Sequence, residues 1–230
     1  NDLAIVERRL EKITRLHNAD FKREVKILTH CQEMLSDQHA LREYDFKPDE
    51  EKILRSYSFL SLKPLLIVLN LGEASVPDAG RILDDLKQET GLPERKTGWA
   101  AVAAGIESEI NALEESDRDA FLNDLGFSLP ALDRITRATF NLLGLVTFFT
   151  TSEKESRAWS IPAGSTAVQA AAAIHNDLAR GFIRAEVCRW DELVEMDGSY
   201  GRLKETGKLR LEGRDYVVAD GDVLLIRFNV

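Results

Sequence analysis

The run Leu65-Leu-Ile-Val-Leu69, set directly after Lys63-Pro64, constrains this chain more than any other feature. Five consecutive apolar residues show neither the alternation of a half-solvated strand nor the length of a helix. Bounded by a proline and by Asn70-Leu-Gly-Glu73, the run reads as a strand buried on both faces, as in a parallel sheet. A parallel partner needs a crossover. Residues 78–90 supply a helix that Gly91 stops, and 99–104 supply a second apolar strand, which makes one strand–helix–strand unit. The run is far too short to span a bilayer.

The segments on either side follow other periods. Leu3, Val6, Leu10, Ile13 and His17 have the 3-4 spacing of a coiled-coil seam. The pattern restarts after Asn18-Ala-Asp20, where Asn18 or Asp20 can cap a second helix. Phe21, Val25 and Leu28 lie on one line of that helix, with Ile27, Cys31, Met34 and Leu41 on its neighbour. Two such helices fold back as an antiparallel hairpin. Pro48 and three acids open a further helix that runs to about residue 59. Helices return at 106–113, 117–125 and 132–143. From Leu145 short strands take over, at 145–150, 156–161, 182–189, 216–219 and 223–228, interrupted by one alanine-rich helix at 166–179. A hairpin, a helix and further strands describe a roll like ubiquitin. The fold class is therefore multi-domain α+β: a helical coiled-coil hairpin at 1–58, a partial α/β nucleotide-binding domain with connecting helices at 59–144, and a ubiquitin-like β-grasp domain at 145–230.

Composition narrows the chemistry. A net charge of −9 argues against non-specific DNA binding by the whole surface. Cys31 and Cys188 lie far apart without metal spacing and read as reduced thiols of a cytoplasmic protein. His17, His30, His39 and His175 also lack metal spacing, and His175-Asn-Asp177 reads as helix-end capping. Glu153, Glu155, Glu186 and Glu192 read as solvated strand-edge charges. No metal site and no catalytic constellation is expected. The chain opens on Asn1 and not Met, so it is expected to begin inside a longer gene product or after a removed tag.

Asn70-Leu71-Gly72-Glu73 is the one constellation with nucleotide chemistry. It sits at the carboxyl end of an expected parallel strand, where open α/β sheets bind ligands. An amide there can pair with a purine's N7 and exocyclic group, and a carboxylate three residues on can accept from a ring-edge amine. Arg202, Lys204, Lys208, Arg210 and Arg214 form a second candidate, a basic cluster able to grip RNA phosphates. Glu205, Glu212 and Asp215 dilute it, so a solvated mixed-charge face stands beside that reading. No G-x-x-x-x-G-K-[ST] loop occurs, and no strand ends in Asp-x-x-Gly.

The C-terminal string resembles one family. Leu-Val-Thr-Phe-Phe-Thr at 145–150, Arg-Ala-Trp at 157–159, Ile-His-Asn-Asp at 174–177, Gly-Phe-Ile-Arg-Ala-Glu-Val at 181–187 and Leu-Glu-Gly-Arg-Asp-Tyr-Val-Val-Ala-Asp-Gly-Asp at 211–222 are similar to the TGS domain of the YchF/Obg-like ATPases. Lys63-Pro64 and the strand ending in Asn70-Leu-Gly-Glu73 are similar to that family's base-recognition segment, where N-x-x-E replaces the common N-K-x-D and goes with acceptance of ATP. The resemblance implies that Asn70 and Glu73 face the purine edge and that Leu71 packs on the ring. It also implies that the backbone of Ala103-Ala104, in place of the family's Ser-Ala-x-x-Glu loop, meets the base. It further implies a cytoplasmic, ribosome-associated NTPase that uses ATP or GTP with magnesium in the intact parent. This chain alone is expected to hold no cofactor, to hydrolyse nothing, and to act as a module for ribosome or RNA. The alternative is a stand-alone protein-interaction module derived by loss of the P-loop half. No membrane partner is expected. Self-association through the truncated sheet is. Thr151-Ser152 and Ala172-Ala173 depart from the family pattern and mark a divergent member.

Overall fold

The computed structural model describes residues 1–16, 19–152 and 154–229. The expectations placed on His17, Asn18 and Glu153 lie outside them. The chain divides into two compact units, Asn1–Leu142 and Leu143–Val230.

The first unit opens with helices α1 (Asp2–Arg15) and α2 (Lys22–Ser36), which pair with each other. Val6 and Ile13 of α1 meet Ile27, Leu28 and Cys31 of α2, and Leu41, Phe46, Leu54 and Phe59 complete this core. Of the residues on the expected line, Val6 and Ile13 are buried in this core and Leu10 is partly buried beside them. The residue that caps α2 is Phe21, at the end of a 3-10 turn over Ala19–Phe21, and not Asp20. A charged clamp joins the two helices: Arg9 donates to both carboxylate oxygens of Glu24, at 2.8 and 3.1 Å, and the Tyr57 hydroxyl donates to the same carboxylate. The third helix, α3 (Pro48–Leu54), begins on its proline, which needs no N–H partner there.

Strand β1 (Leu65–Asn70) is followed by α4 (Ala79–Thr90) and β2 (Thr97–Val102). The two strands pair in parallel, Leu65 opposite Thr97 and Asn70 opposite Val102. Among the described residues this sheet has two strands only. The burial expected on both faces of β1 is therefore not reached. Its residues are half-buried and Val68 is 40% exposed, because β1 has a neighbour on one side alone. Helices α5 (Ala104–Ile110), α6 (Glu115–Asp124) and α7 (Ala131–Leu142) follow, and α7 packs on both strands. Gly98 permits that approach: a Cβ there would lie 3.1 Å from Leu66 and 3.3 Å from Leu142.

The second unit is a five-stranded mixed sheet in the order β4-β3-β7-β5-β6. Its strands are β3 (Leu145–Thr151), β4 (Ser156–Pro162), β5 (Phe182–Arg189), β6 (Arg210–Glu212) and β7 (Asp222–Phe228). The β3–β7 contact is parallel and the remaining pairs are antiparallel. Helix α8 (Ala167–Ile174) covers one face, where Ala167, Ala170 and Ala171 pack with Phe148, Ile161, Phe182, Val187 and Leu224. The alanines keep helix and sheet close. On the other face α10 (Trp190–Glu195) and α11 (Tyr200–Glu205) enclose Cys188, Leu193, Leu203 and Val223.

Three local expectations change. The helix at 166–179 breaks at His175, whose backbone is extended and whose Nδ1 accepts from the Asp177 N–H at 3.2 Å; a separate helix α9 (Asn176–Arg180) starts there. Residues 216–219 form no strand, only one bridge between Val217 and Thr166. The segment 190–212, assigned no element from the sequence, contains α10, α11 and β6. Among the described residues no helix is long and apolar enough to cross a membrane.

Candidate nucleotide-base site

Strand pairing brings the two candidate segments together. Because β1 and β2 run parallel and in register, Asn70 and Val102 end side by side, and the chain leaves each strand at the same edge. The Leu71 N–H continues the ladder by donating to the Val102 carbonyl at 2.8 Å. Asn70 Oδ1 accepts the backbone N–H of Ala104 at 3.1 Å, 34 residues away in sequence. That bond fixes the orientation of the amide and leaves its NH2 group to donate to a ligand. Asn70, Glu73 and Ala104 are exposed, Leu71 is half-buried and Ala103 is buried. Glu73 opens a 3-10 turn over Glu73–Asp78, three residues beyond Asn70. The rim therefore has an amide donor, a carboxylate acceptor and an apolar side chain between them.

A buried ion pair shapes the loop from below. Glu107 is 3% exposed, and its Oε1 accepts the Ala103 N–H at 2.8 Å and the Arg134 guanidinium at 2.6 Å. Arg134 also donates to the Ala101 carbonyl at 3.1 Å and to the Leu129 carbonyl, and lies 3.6 Å over the Phe127 ring. These partners come from β2, α5, α7 and the turn between α6 and α7. Glu107 appeared in the sequence only as part of a motif and Arg134 not at all. The pair is separated by 27 residues, and no local pattern announces it.

Four of the five basic residues of the second candidate, Arg202, Lys208, Arg210 and Arg214, are engaged by protein partners. Arg202 pairs with Asp197 at 2.9 Å, and Lys208 lies 3.8 Å from Glu192 and 3.3 Å from Glu195. The Arg214 guanidinium donates to the Phe182 carbonyl. Arg210 is itself exposed, but its guanidinium reaches a buried partner. Asp222, fully buried, accepts the Tyr216 hydroxyl at 2.7 Å, the Ala219 N–H at 2.8 Å and Arg210 at 3.4 Å. Burial opposes the Arg210 charge, but Tyr216 and Asp222 outweigh it and hold its pKa above the ordinary value. Burial and the Asp222 contact raise the Tyr216 phenol as well. Lys204 stays exposed at the end of α11.

Among the described residues no cluster of His, Cys, Asp and Glu could hold a metal ion. Cys31 and Cys188 are free, and burial pushes their pKa values up to about 12 and about 11.

A family model, YchF-GTPase_C, described as a protein of unknown function (DUF933), matches residues 145–229. Proteins named "Ribosome-binding ATPase YchF" from Pasteurella multocida (strain Pm70) and Escherichia coli O157:H7 are 40% identical over 225 residues and 38% identical over 232. The alignments cover 96% and 100% of this chain. The chain carries the C-terminal domain of the YchF family at residues 145–229. It spans 60% and 63% of the length of these two YchF relatives. The solved structure of the Schizosaccharomyces pombe YchF GTPase shares its mixed α/β fold, with a TM-score of 0.78 at 22% identity over 98% of this chain and 62% of that one.

Proposed function

We propose that this chain is the ribosome-docking, base-holding portion of a YchF-type nucleotide-dependent ATPase of the cytoplasm, and that alone it binds without hydrolysing. On this reading the second unit is the ubiquitin-like TGS module and α1–α2 is a coiled-coil arm. Asn70, Leu71, Glu73, Ala103 and Ala104 frame the purine. ATP or GTP with magnesium belongs to the intact parent. The observation that carries the reading is the Asn70–Ala104 bond. It ties two strand ends into a polar rim at the carboxyl edge of a parallel pair, where α/β sheets take nucleotides. The names of the relatives supply the ribosome.

Sedimentation with ribosomes tests it. Arg210→Glu is a poor probe, since reversing that charge beside the buried Asp222 would disrupt the fold itself. Arg202→Glu and Lys204→Glu are better, because both side chains are exposed. The wild-type chain should co-sediment, binding should weaken with added salt as phosphate contacts require, and the double variant should bind less. Failure of the wild type to pellet with ribosomes removes this reading.

A further inference from the structure

We infer that the Arg134–Glu107 pair is the positioning device of the base-facing loop, so that base recognition depends on two residues that need not touch the base; this rests on the base-site reading above. Asn70 presents its amide while the Ala104 N–H points at Oδ1, because among the described residues that bond alone orients the side chain. Ala104 is the first residue of α5, so its N–H direction follows the backbone of Ala103, which has a non-helical conformation of φ −123° and ψ 69°. What holds Ala103 is its N–H bond to Glu107 Oε1. What holds Glu107 is Arg134.

Arg134 is itself held at every nitrogen. Nε binds the Ala101 carbonyl, Nη1 the Leu129 carbonyl and Nη2 Glu107, while the Phe127 ring lies against its plane. A planar guanidinium with fixed donors makes this arrangement, and a lysine ammonium cannot reproduce it. The guanidinium therefore references the loop to the last residues of β2 on one side and to the start of α7 on the other. The same side chain lines a cavity of about 390 Å³, walled also by Val76, Leu83, Trp99 and Phe127. Its charge is fully committed to protein partners, so this cavity offers no anion site. Its role is support.

The test uses the whole chain, amide-resolved NMR and adenosine as the probe at millimolar concentration. Arg134→Met strands a buried carboxylate and can unfold the unit. Arg134→Met/Glu107→Met removes both charges and replaces the pair by apolar side chains, a change that buried pairs often tolerate. In either variant that folds, hydrogen exchange at Ala103 and Ala104 should rise about tenfold relative to the β2 ladder amides. Adenosine-induced shifts at the Asn70 side-chain amide should fall in parallel. Arg134→Lys should recover part of the stability but little of the adenosine response. Wild-type protection at Ala103 and Ala104 in the double variant, or an undiminished adenosine response, overturns the positioning role. Silence of the wild-type Asn70 amide toward adenosine overturns the base-site reading instead, and leaves Arg134 with a structural role only.

Discussion

Single atoms decide the tightest parts of this fold. Gly181 follows α9 and faces the backbone of Asn229, whose N–H donates to the Gly181 carbonyl at 2.9 Å. A Cβ at Gly181 would sit 2.2 Å from the Asn229 carbonyl oxygen, and backbone cannot rotate away as a side chain can. Gly181→Ala should therefore cost about 1–3 kcal/mol, the range for overpacking a closed site. It should lower the urea midpoint followed by tryptophan fluorescence. Gly221 is different: it adopts φ +83°, and a Cβ would also lie 2.8 Å from Trp190. The buried thiols make a second residue-scale prediction. With pKa values pushed up to about 12 and 11, Cys31 and Cys188 remain protonated at neutral pH. Since the thiolate is the reacting form, both should resist a thiol reagent in the native chain and react promptly in denaturant. Fast native labelling of either would contradict this burial.

Between elements, the interactions that count are those that sequence spacing cannot show. The Arg9–Glu24–Tyr57 cluster joins α1, α2 and the turn after α3 across separations of 15, 33 and 48 residues. The Arg9 guanidinium holds the Glu24 carboxyl below the ordinary range; burial opposes this and the Tyr57 hydroxyl assists. A carboxyl whose folded pKa is depressed stabilises above its unfolded value, near 4.3, and loses that contribution as pH falls through the folded value. Glu24→Gln should cost about 1 kcal/mol at pH 7 and flatten the acid limb of stability below about pH 4.3; an unchanged acid limb would show that Glu24 is not its source. The same contrast explains what could be read beforehand. The 3-4 spacing revealed Val6 and Ile13 because helix periodicity is local, and the apolar runs revealed β1 and β2 because short branched apolar runs between turn residues favour strands, even though β1 stays half-buried. Helices of six residues such as α10 and α11, and the three-residue β6, are too short to repeat a pattern. Residues 216–219 looked like a strand from Tyr216-Val-Val-Ala219, yet they make only the bridge to Thr166, while the Asp222 side chain takes up the Tyr216 hydroxyl and the Ala219 N–H. In the site, Asn70 and Ala104 were legible as the ends of two parallel strands. Arg134 was not, since its partners meet only once α7 has docked.

At the scale of the whole chain, an open sheet edge and a base rim without phosphate contacts set the expected behaviour. β1 carries ladder bonds on one side and exposes Val68, so its free edge is a template for another strand. The net charge of −9 opposes association of two copies, and salt screens that repulsion. Light scattering should therefore detect self-association that grows with concentration and with ionic strength, and Val68→Lys should suppress it; a strict monomer at high salt would remove the idea. Nucleotide affinity follows from the same inventory. Much of a nucleotide's binding energy comes from phosphate contacts with backbone amides, a lysine and magnesium, and the sequence contains no G-x-x-x-x-G-K-[ST] loop to make them. On the proposed reading, the rim of Asn70, Leu71, Glu73 and Ala104 would grip the base alone. ATP should then bind no tighter than about 1 mM, equivalent to ~4 kcal/mol. Adenosine should match or exceed it, because a triphosphate adds repulsion from an acidic protein without adding a contact. Magnesium should change neither value, and phosphate release should stay at the uncatalysed rate. Calorimetric titration of ATP against adenosine separates the cases: micromolar ATP affinity, or a clear preference for ATP over adenosine, would require a phosphate site among these residues and would overturn the picture of a base-only rim.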